Sequence, residues 1–151
     1  MHTRFATIMD TEQITSLVLA NGQELDGQWA YDHEHMNKSH FAELVIYWIR
    51  EHYVRVVEHD LDIVGCIIAQ MTPNLWNPKL KTLDSRTIYV RPSSRNGRAS
   101  VMLWQAWDQD VSRYLDEKKI SMAVMSSQPG RTNINFKNRG WDMADQLWVR
   151  C

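Results

Sequence analysis

The segment T-I-Y-V-R-P-S-S-R-N-G-R-A-S-V-M-L, from Thr87 to Leu103, carries most of the structural information in this chain. Ile88 to Val90 is an apolar run typical of a β-strand, and Pro92 ends it. A basic turn that contains glycine follows, and an amphipathic helix begins near Ala99. This combination favours phosphate binding, because unpaired backbone N–H groups and the positive end of the helix dipole meet at one place.

The composition predicts one domain, over residues 1–151, that is large enough to bury a full core. The net charge is −1 with acids and bases well mixed, which disfavours nucleic-acid binding because that needs a basic face.

Seven Trp and eight Met are many for this length. They indicate either a core of large side chains or a partner surface, and their helical and strand spacing favours the core for most of them.

The two cysteines point to a reducing compartment. Cys66 lies within an apolar run and Cys151 is the last residue, so they form neither a disulfide framework nor a zinc site. The sequence has no apolar run of membrane-spanning length and no charged-then-apolar leader at its N-terminus. We therefore expect a cytoplasmic protein without a membrane partner.

Hydrophobic spacing predicts the element order β-α-α-β-β-β-α-β-α-β, which indicates mixed α/β layers around one sheet. Asp10 is the expected N-cap of the first helix, with Gln13 at the capping-box spacing. The acids of the long helix from Ala99, such as Asp110, and Lys118-Lys119 after it are expected on its solvated face and end. The predicted elements are strands 4–8, 53–58, 63–71, 83–90, 120–125 and 146–150, helices 10–18, 39–52, 99–115 and 132–138, and a loop or broken helix over 21–36.

Four motifs in this order resemble the GCN5-related N-acetyltransferases, the GNAT family. Phe5-Ala6-Thr7 with Asp10 and Ile14 resembles the family's first strand and helix, and Asp62-Ile63-Val64-Gly65 resembles the hairpin that enters its third strand. Leu83-Asp84, Ile88-Tyr89-Val90, Pro92 and Arg95 resemble its fourth strand and cofactor loop, and Gly140-Trp141 resembles its late Gly-Phe.

The resemblance implies an α/β fold of the GNAT-like acyl-CoA N-acyltransferase type, with a mixed central sheet flanked by helices. It implies acetyl-CoA as co-substrate and a primary amine as acceptor, on a small molecule or a protein. The pantetheine arm would pair with the backbone of Tyr89 and Val90. The pyrophosphate would bind Arg95, Asn96, Gly97, Arg98, Ala99 and Ser100.

The cofactor loop departs from the family pattern [Gln or Arg]-x-x-Gly-x-[Gly or Ala]. Counted from Arg95, the glycine positions hold Arg98 and Ser100. A frame shifted by one places Gly97 and Ala99 correctly but loses the leading Arg. Arg98 either pairs directly with a phosphate or is a solvated residue at the helix start. The R-x-G-R-A pattern resembles GNAT-like proteins encoded by bacteriophages.

Two residues are candidates for proton transfer. Asp84 stands where the family often carries a basic Glu, so it is the expected general base, although it could equally be a surface strand residue. The family's usual acid, a Tyr, is replaced by Phe136, which has no proton to give. Ser126 or Ser127 could supply a hydroxyl there, and we take Ser127 as the candidate.

The polar segment around His33 and His35 has metal-ligand residue types, but nothing indicates that they converge, so no metal site is predicted. Two hypotheses of function follow. The first is an N-acetyltransferase that works by direct attack of an amine on acetyl-CoA. The second is a phage-encoded GNAT-fold protein that has lost catalysis and binds another protein. A homodimer is compatible with both.

Overall fold

The computed structural model describes residues 1–24, 37–74, 76–95, 97–125, 138, 140 and 141. Within these ranges the predicted order of elements is confirmed from the first strand to the fifth, except that a short helix follows the fourth strand where only a turn was predicted. The helices and strands are β1 (His2–Phe5), α1 (Thr11–Glu24), α2 (Lys38–Glu51), β2 (Tyr53–His59), β3 (Asp62–Pro73), β4 (Lys81–Val90), α3 (Pro92–Arg95), α4 (Arg98–Asp116) and β5 (Met122–Val124).

The described strands form a five-stranded mixed sheet in the order β1-β2-β3-β4-β5. Neighbours are antiparallel except β4 and β5, which are parallel. One face packs on α1 and α2 and the other on α4, so β3 is apolar on both sides and reads as a continuous hydrophobic run. Buried side chains of the α4 face include Val64, Ile67, Leu83, Leu103 and Trp107, and those of the α1–α2 face include Ile14, Leu17, Val45, Ile63 and Ile68.

The hairpin between β2 and β3 is a two-residue turn. Asp60 and Leu61 both have positive φ, 51° and 70° respectively.

 These values define a type I′ turn, whose twist matches that of the flanking strands. Gln13 of α1 fixes the turn from outside, because its Oε1 accepts from the N–H of Ile63 at 2.8 Å. Gln13, which was predicted at the capping-box spacing, therefore ties α1 to the hairpin.

The prediction for the start of the chain is wrong in two details. The first strand is His2–Phe5 rather than 4–8, and Ile8–Asp10 form a turn of 3-10 helix. The capping box lies one turn earlier than predicted, with Thr7 as N-cap and Asp10 as its acidic partner. Arg4 binds the Asp10 carboxylate at 2.7 and 2.9 Å, so this acid pairs with β1 and with Thr7 instead of capping α1.

The prediction that Asp110 faces solvent is also wrong. Asp110 is a buried residue of α4, and its carboxylate accepts a hydrogen bond from the hydroxyl of Tyr53 in β2 at 2.9 Å. Arg55 and Arg113 pair with the same carboxylate at 3.2 and 2.9 Å. A buried carboxylate is stable here because these partners compensate for its lost hydration. The predicted exposure of Lys118 and Lys119 is confirmed.

The first helix extends to Glu24, so the predicted loop begins too early at Asn21. The rest of that segment, with His33 and His35, lies outside the described residues, as do almost all of the predicted helix 132–138 and the whole of the predicted strand 146–150. None of the described helices is long and apolar enough to cross a membrane.

Candidate functional site

The fourth strand is bent at Arg86. Ile68 of β3 faces Thr87 and the next residue, Ala69, faces Ser85, so Arg86 is an extra residue in β4. Such a bulge bends its strand and increases the local twist. It separates the first half of β4, which pairs with β5, from the second half, which leads to the cofactor loop.

Among the described residues, β5 accompanies β4 only at Thr82, Leu83 and Asp84. Beyond the bulge the two strands are not paired, and the side of β4 that faces away from β3 is here called its outer edge. Asp84 is the last residue of β4 paired with β5, so it marks the point where the two strands separate.

The outer edge presents backbone groups of alternate residues. Arg91 donates its N–H to the carbonyl of Val64 at 2.9 Å, so the neighbouring pair at Val90 is of the non-hydrogen-bonded kind. The N–H and C=O of Val90 therefore point away from β3, as do those of Ile88. The backbone groups of Tyr89 point toward β3, so its neighbours are better placed than Tyr89 to pair with a ligand along this edge.

A close approach of two strands fixes the end of β4. A Cβ atom on Gly65 would lie 2.9 Å from Cγ2 of Val90 and 3.0 Å from the carbonyl oxygen of Tyr89. A Cβ atom at this position of β3 would force the Val90 side chain and the Tyr89 carbonyl to shift, so glycine is favoured here.

The strand continues through the one-turn helix α3 into the long helix α4. Gly97 is the N-cap of α4 and offers no side-chain acceptor to the first turn. The N–H groups of Arg98, Ala99 and Ser100 have no partner within the helix, and the first turn contains no acidic residue. The positive end of the helix dipole is therefore not neutralised by the helix itself.

Arg95 is folded back over the end of β4. Its Nε donates to the carbonyl oxygen of Val90 at 2.7 Å, and its Nη2 lies 2.8 and 2.6 Å from the two carboxylate oxygens of Glu24. The Tyr89 hydroxyl donates to the same carboxylate at 2.6 Å, under the Arg95 guanidinium. Burial and this carboxylate raise the pKa of Tyr89 to about 12. We call this group, Glu24, Tyr89, Val90 and Arg95, the clasp.

The other predicted phosphate-binding residues have different environments. Arg98 is exposed and forms no hydrogen bond or ion pair with the described part of the chain. The side chain of Ala99 is fully buried, so only its backbone faces the loop. The Ser100 hydroxyl donates to the carbonyl of Arg95 at 3.1 Å. Gly97 has room for a side chain, and Asn96 lies outside the described residues.

The predicted base, Asp84, is held by an arginine. Its carboxylate lies 3.3 Å from Nη1 of Arg86, and its side chain is about one third exposed. Nε and Nη2 of Arg86 donate to Oε1 of Gln70 at 3.1 and 2.9 Å. The bulge residue therefore orients the carboxylate at the point where β4 and β5 separate.

Ser126, Ser127 and Phe136 lie outside the described residues. The sequence analysis missed Glu24 and Arg86, because nothing local distinguishes a helix-end acid or a bulged arginine from any surface charge. It also missed His52, whose Nδ1 accepts from the N–H of Met71 at 3.3 Å. Burial lowers the pKa of His52 and favours its neutral form.

No protein-family model and no curated protein sequence matches this chain. Solved structures do match over almost its whole length. A GCN5-related N-acetyltransferase from Ralstonia eutropha JMP134 has a TM-score of 0.71 at 18% identity, with 99% of this chain and 97% of that chain covered. A ribosomal-protein-alanine N-acetyltransferase from Brucella melitensis biovar Abortus 2308 has a TM-score of 0.66 at 13% identity, with 100% and 99% covered. At these identities the likeness establishes the fold.

Proposed function

Since the chain has the α/β fold of the GNAT acyltransferases, we propose that it is an N-acetyltransferase that moves an acetyl group from acetyl-CoA to a primary amine in the cytoplasm. The acceptor is a small molecule or a protein. The observation that carries the proposal is the outer edge of β4. Its backbone groups at Ile88 and Val90 lead directly to the unneutralised first turn of α4.

Each part of this surface suits one part of the co-substrate. An extended pantetheine arm carries amide groups that pair with exposed strand backbone, as an added strand does. The pyrophosphate suits the N–H groups of Arg98, Ala99 and Ser100, with the Arg98 guanidinium adding charge. The arm and the pyrophosphate are adjacent in the ligand, as the strand edge and the helix start are in this chain.

The reaction is a direct attack of the amine nitrogen on the thioester carbonyl. A C–N bond forms, the C–S bond breaks, and the amine loses one proton while the thiolate gains one. Asp84 is our candidate to accept the amine proton, through a water molecule, from the point where β4 and β5 separate. Ser127 is our candidate to provide a proton to the thiolate.

Binding of acetyl-CoA is measured by calorimetry on two charge reversals. Arg98→Glu and Lys38→Glu each place an acid on the first residue of a helix. Its interaction with the helix dipole stabilises the helix by about 0.3–1 kcal/mol in both variants. Only Arg98→Glu lies at the proposed phosphate site, so we expect it to weaken binding about tenfold or more. Lys38→Glu should bind as the unmodified chain does.

Turnover is then followed as release of free CoA thiol with a panel of amines and peptides. Asp84→Asn should reduce the rate about a hundredfold while leaving acetyl-CoA affinity unchanged. The proposal fails if acetyl-CoA does not bind at about millimolar concentration. It also fails if Arg98→Glu and Lys38→Glu behave alike.

A second candidate function is binding of another protein by a phage-encoded chain that retains the fold without catalysis. The observation that favours it is an apolar group beside β1, an edge strand of the described sheet: Phe5, Ile8 and Met9 are exposed by 43%, 47% and 90%. Edge strands and exposed apolar side chains are common association surfaces, including those of homodimers. Acetyl-CoA binding without turnover, together with self-association that Met9→Lys abolishes, would favour this function.

A further inference from the structure

A second concave surface lies far from the cofactor loop. A cavity of about 470 Å³ is formed by the first residues of β4, the turn before that strand and the chain that links α4 to β5. Lys81 begins β4 and Val90 ends it, so the cavity lies about 30 Å from the end of β4 at the usual rise of a strand. The volume is in the range of small-molecule sites.

The cavity combines an apolar floor with a cationic rim. Apolar atoms of Met71, Leu80, Ile120 and the Tyr114 ring line it, and Ile120 is almost fully buried. Four lysines also line the cavity: Lys79, Lys81, Lys118 and Lys119.

The rim has more positive charge than its neighbours neutralise. Lys119 lies 2.6 Å from Glu117 and over the ring of Tyr114. The side chains of Lys79, Lys81 and Lys118 form no ion pair with the residues that the structure describes. Three ammonium groups at one cavity favour an occupant that carries more than one negative charge.

The backbone of Lys118 allows the charge of the rim and the strain of the fold to be tested together. Lys118 follows the C-cap of α4 and has a φ of 55°, in the left-handed region that favours glycine. A lysine there is strained, and glycine would form the same helix end without strain. Replacement of Lys118 therefore changes both the charge of the rim and the strain of the backbone.

We propose that this cavity is a second binding site, for a small organic phosphate with an apolar or aromatic body. The body would lie on the floor formed by Ile120 and the Tyr114 ring. The phosphate, with a charge near −2, would be held by Lys79, Lys81 and Lys118, since lysine binds phosphate as a point charge. This site does not depend on the proposed acetyltransferase activity.

The test uses AMP and 1-naphthyl phosphate as probes, with adenosine and 1-naphthol as controls that lack the phosphate. Calorimetry is performed on the full chain carrying Arg98→Glu, which weakens any competing binding of phosphate at the start of α4. We expect at least one probe to bind with a Kd below about 1 mM, and its control to bind about tenfold more weakly.

Lys118→Gly separates binding from stability. It should raise Tm by about 2 °C, because it removes strain, and weaken probe binding about threefold or more, because it removes a cation. Leu61→Gly is the matched control, since Leu61 has the same left-handed backbone in the distant hairpin turn. It should also raise Tm but leave probe affinity unchanged.

Lys81→Gln provides a second variant with no change in backbone strain and should weaken the probe by a similar factor. The proposal is overturned if neither probe binds, or if the controls bind as well as the phosphates. It is also overturned if Lys118→Gly and Lys81→Gln both bind the probe with the affinity of the parent chain.

Discussion

The Arg95 guanidinium lies within 2.8 Å of both carboxylate oxygens of Glu24, a residue 71 positions earlier in the chain. Nε of the same guanidinium donates a hydrogen bond to the carbonyl oxygen of Val90. A side chain expected to bind the cofactor thus holds the end of α1 against the end of β4. Arg95 now pairs with a carboxylate and with a strand carbonyl. A bound pyrophosphate would take the place of the Glu24 carboxylate, and a pantetheine amide would take the place of Arg95 at the Val90 carbonyl.

Weakening the clasp should therefore help the co-substrate to bind. We expect Glu24→Gln to lower the Kd for acetyl-CoA about threefold to tenfold, because Arg95 no longer has to leave a charged partner. Calorimetry measures the change. Glu12→Gln, at the other end of the same helix, is the control and should have no effect. An unchanged or higher Kd for Glu24→Gln would contradict the prediction.

The ion pair of Asp10 should make stability depend on pH. The hydrogen bond from Arg4 lowers the pKa of Asp10 to about 2, below its ordinary value of 3.8. A lowered pKa stabilises the folded state above the unfolded pKa, and this contribution is lost as the pH falls through about 4 to 2. We expect the Asp10 carboxylate to contribute about 2 kcal/mol at neutral pH.

The measurement is urea unfolding of the parent chain and of Asp10→Asn at several pH values. The difference in unfolding free energy between them should shrink between about pH 4 and pH 2. A difference that stays constant over this range would show that the carboxylate charge does not contribute.

The close approach at Gly65 gives a stability prediction. Gly65→Ala should cost about 1–3 kcal/mol of unfolding free energy, because its Cβ would collide with Val90 and the backbone of Tyr89. Gly97→Ser is the control, since a Cβ there meets only the carbonyl of Ser94 at 3.6 Å and serine suits an N-cap. Equal stability of Gly65→Ala and the parent chain would refute the argument.

The β2–β3 turn gives a prediction of the opposite sign. Leu61→Gly creates the Asp-Gly pair that type I′ turns prefer, and should raise the unfolding free energy by about 1 kcal/mol. Asp60→Gly should have a smaller effect, because aspartate tolerates the left-handed region better than leucine. Chemical denaturation compares the two, and a larger gain for Asp60→Gly would contradict this view.

The order of helices and strands could be predicted because it follows from local patterns. The period of apolar residues identifies α2 and α4, and the run from Ile88 to Pro92 identifies the end of β4 and the loop after it. These features depend on neighbours a few residues apart, so they are visible in the sequence. The resemblance to one family then selected the fold from other α/β arrangements.

Contacts between distant segments were not predictable in this way. The bulge at Arg86, the burial of Asp110, the clasp of Glu24 with Arg95 and the lysine-rimmed cavity each bring together residues from separate elements. A charged side chain has the same local signature whether it faces water or a partner across the fold. Local hydrogen bonding and apolar periodicity thus specify the elements, whereas the packing of those elements against one another decides which charges meet and which backbone groups remain available to a ligand.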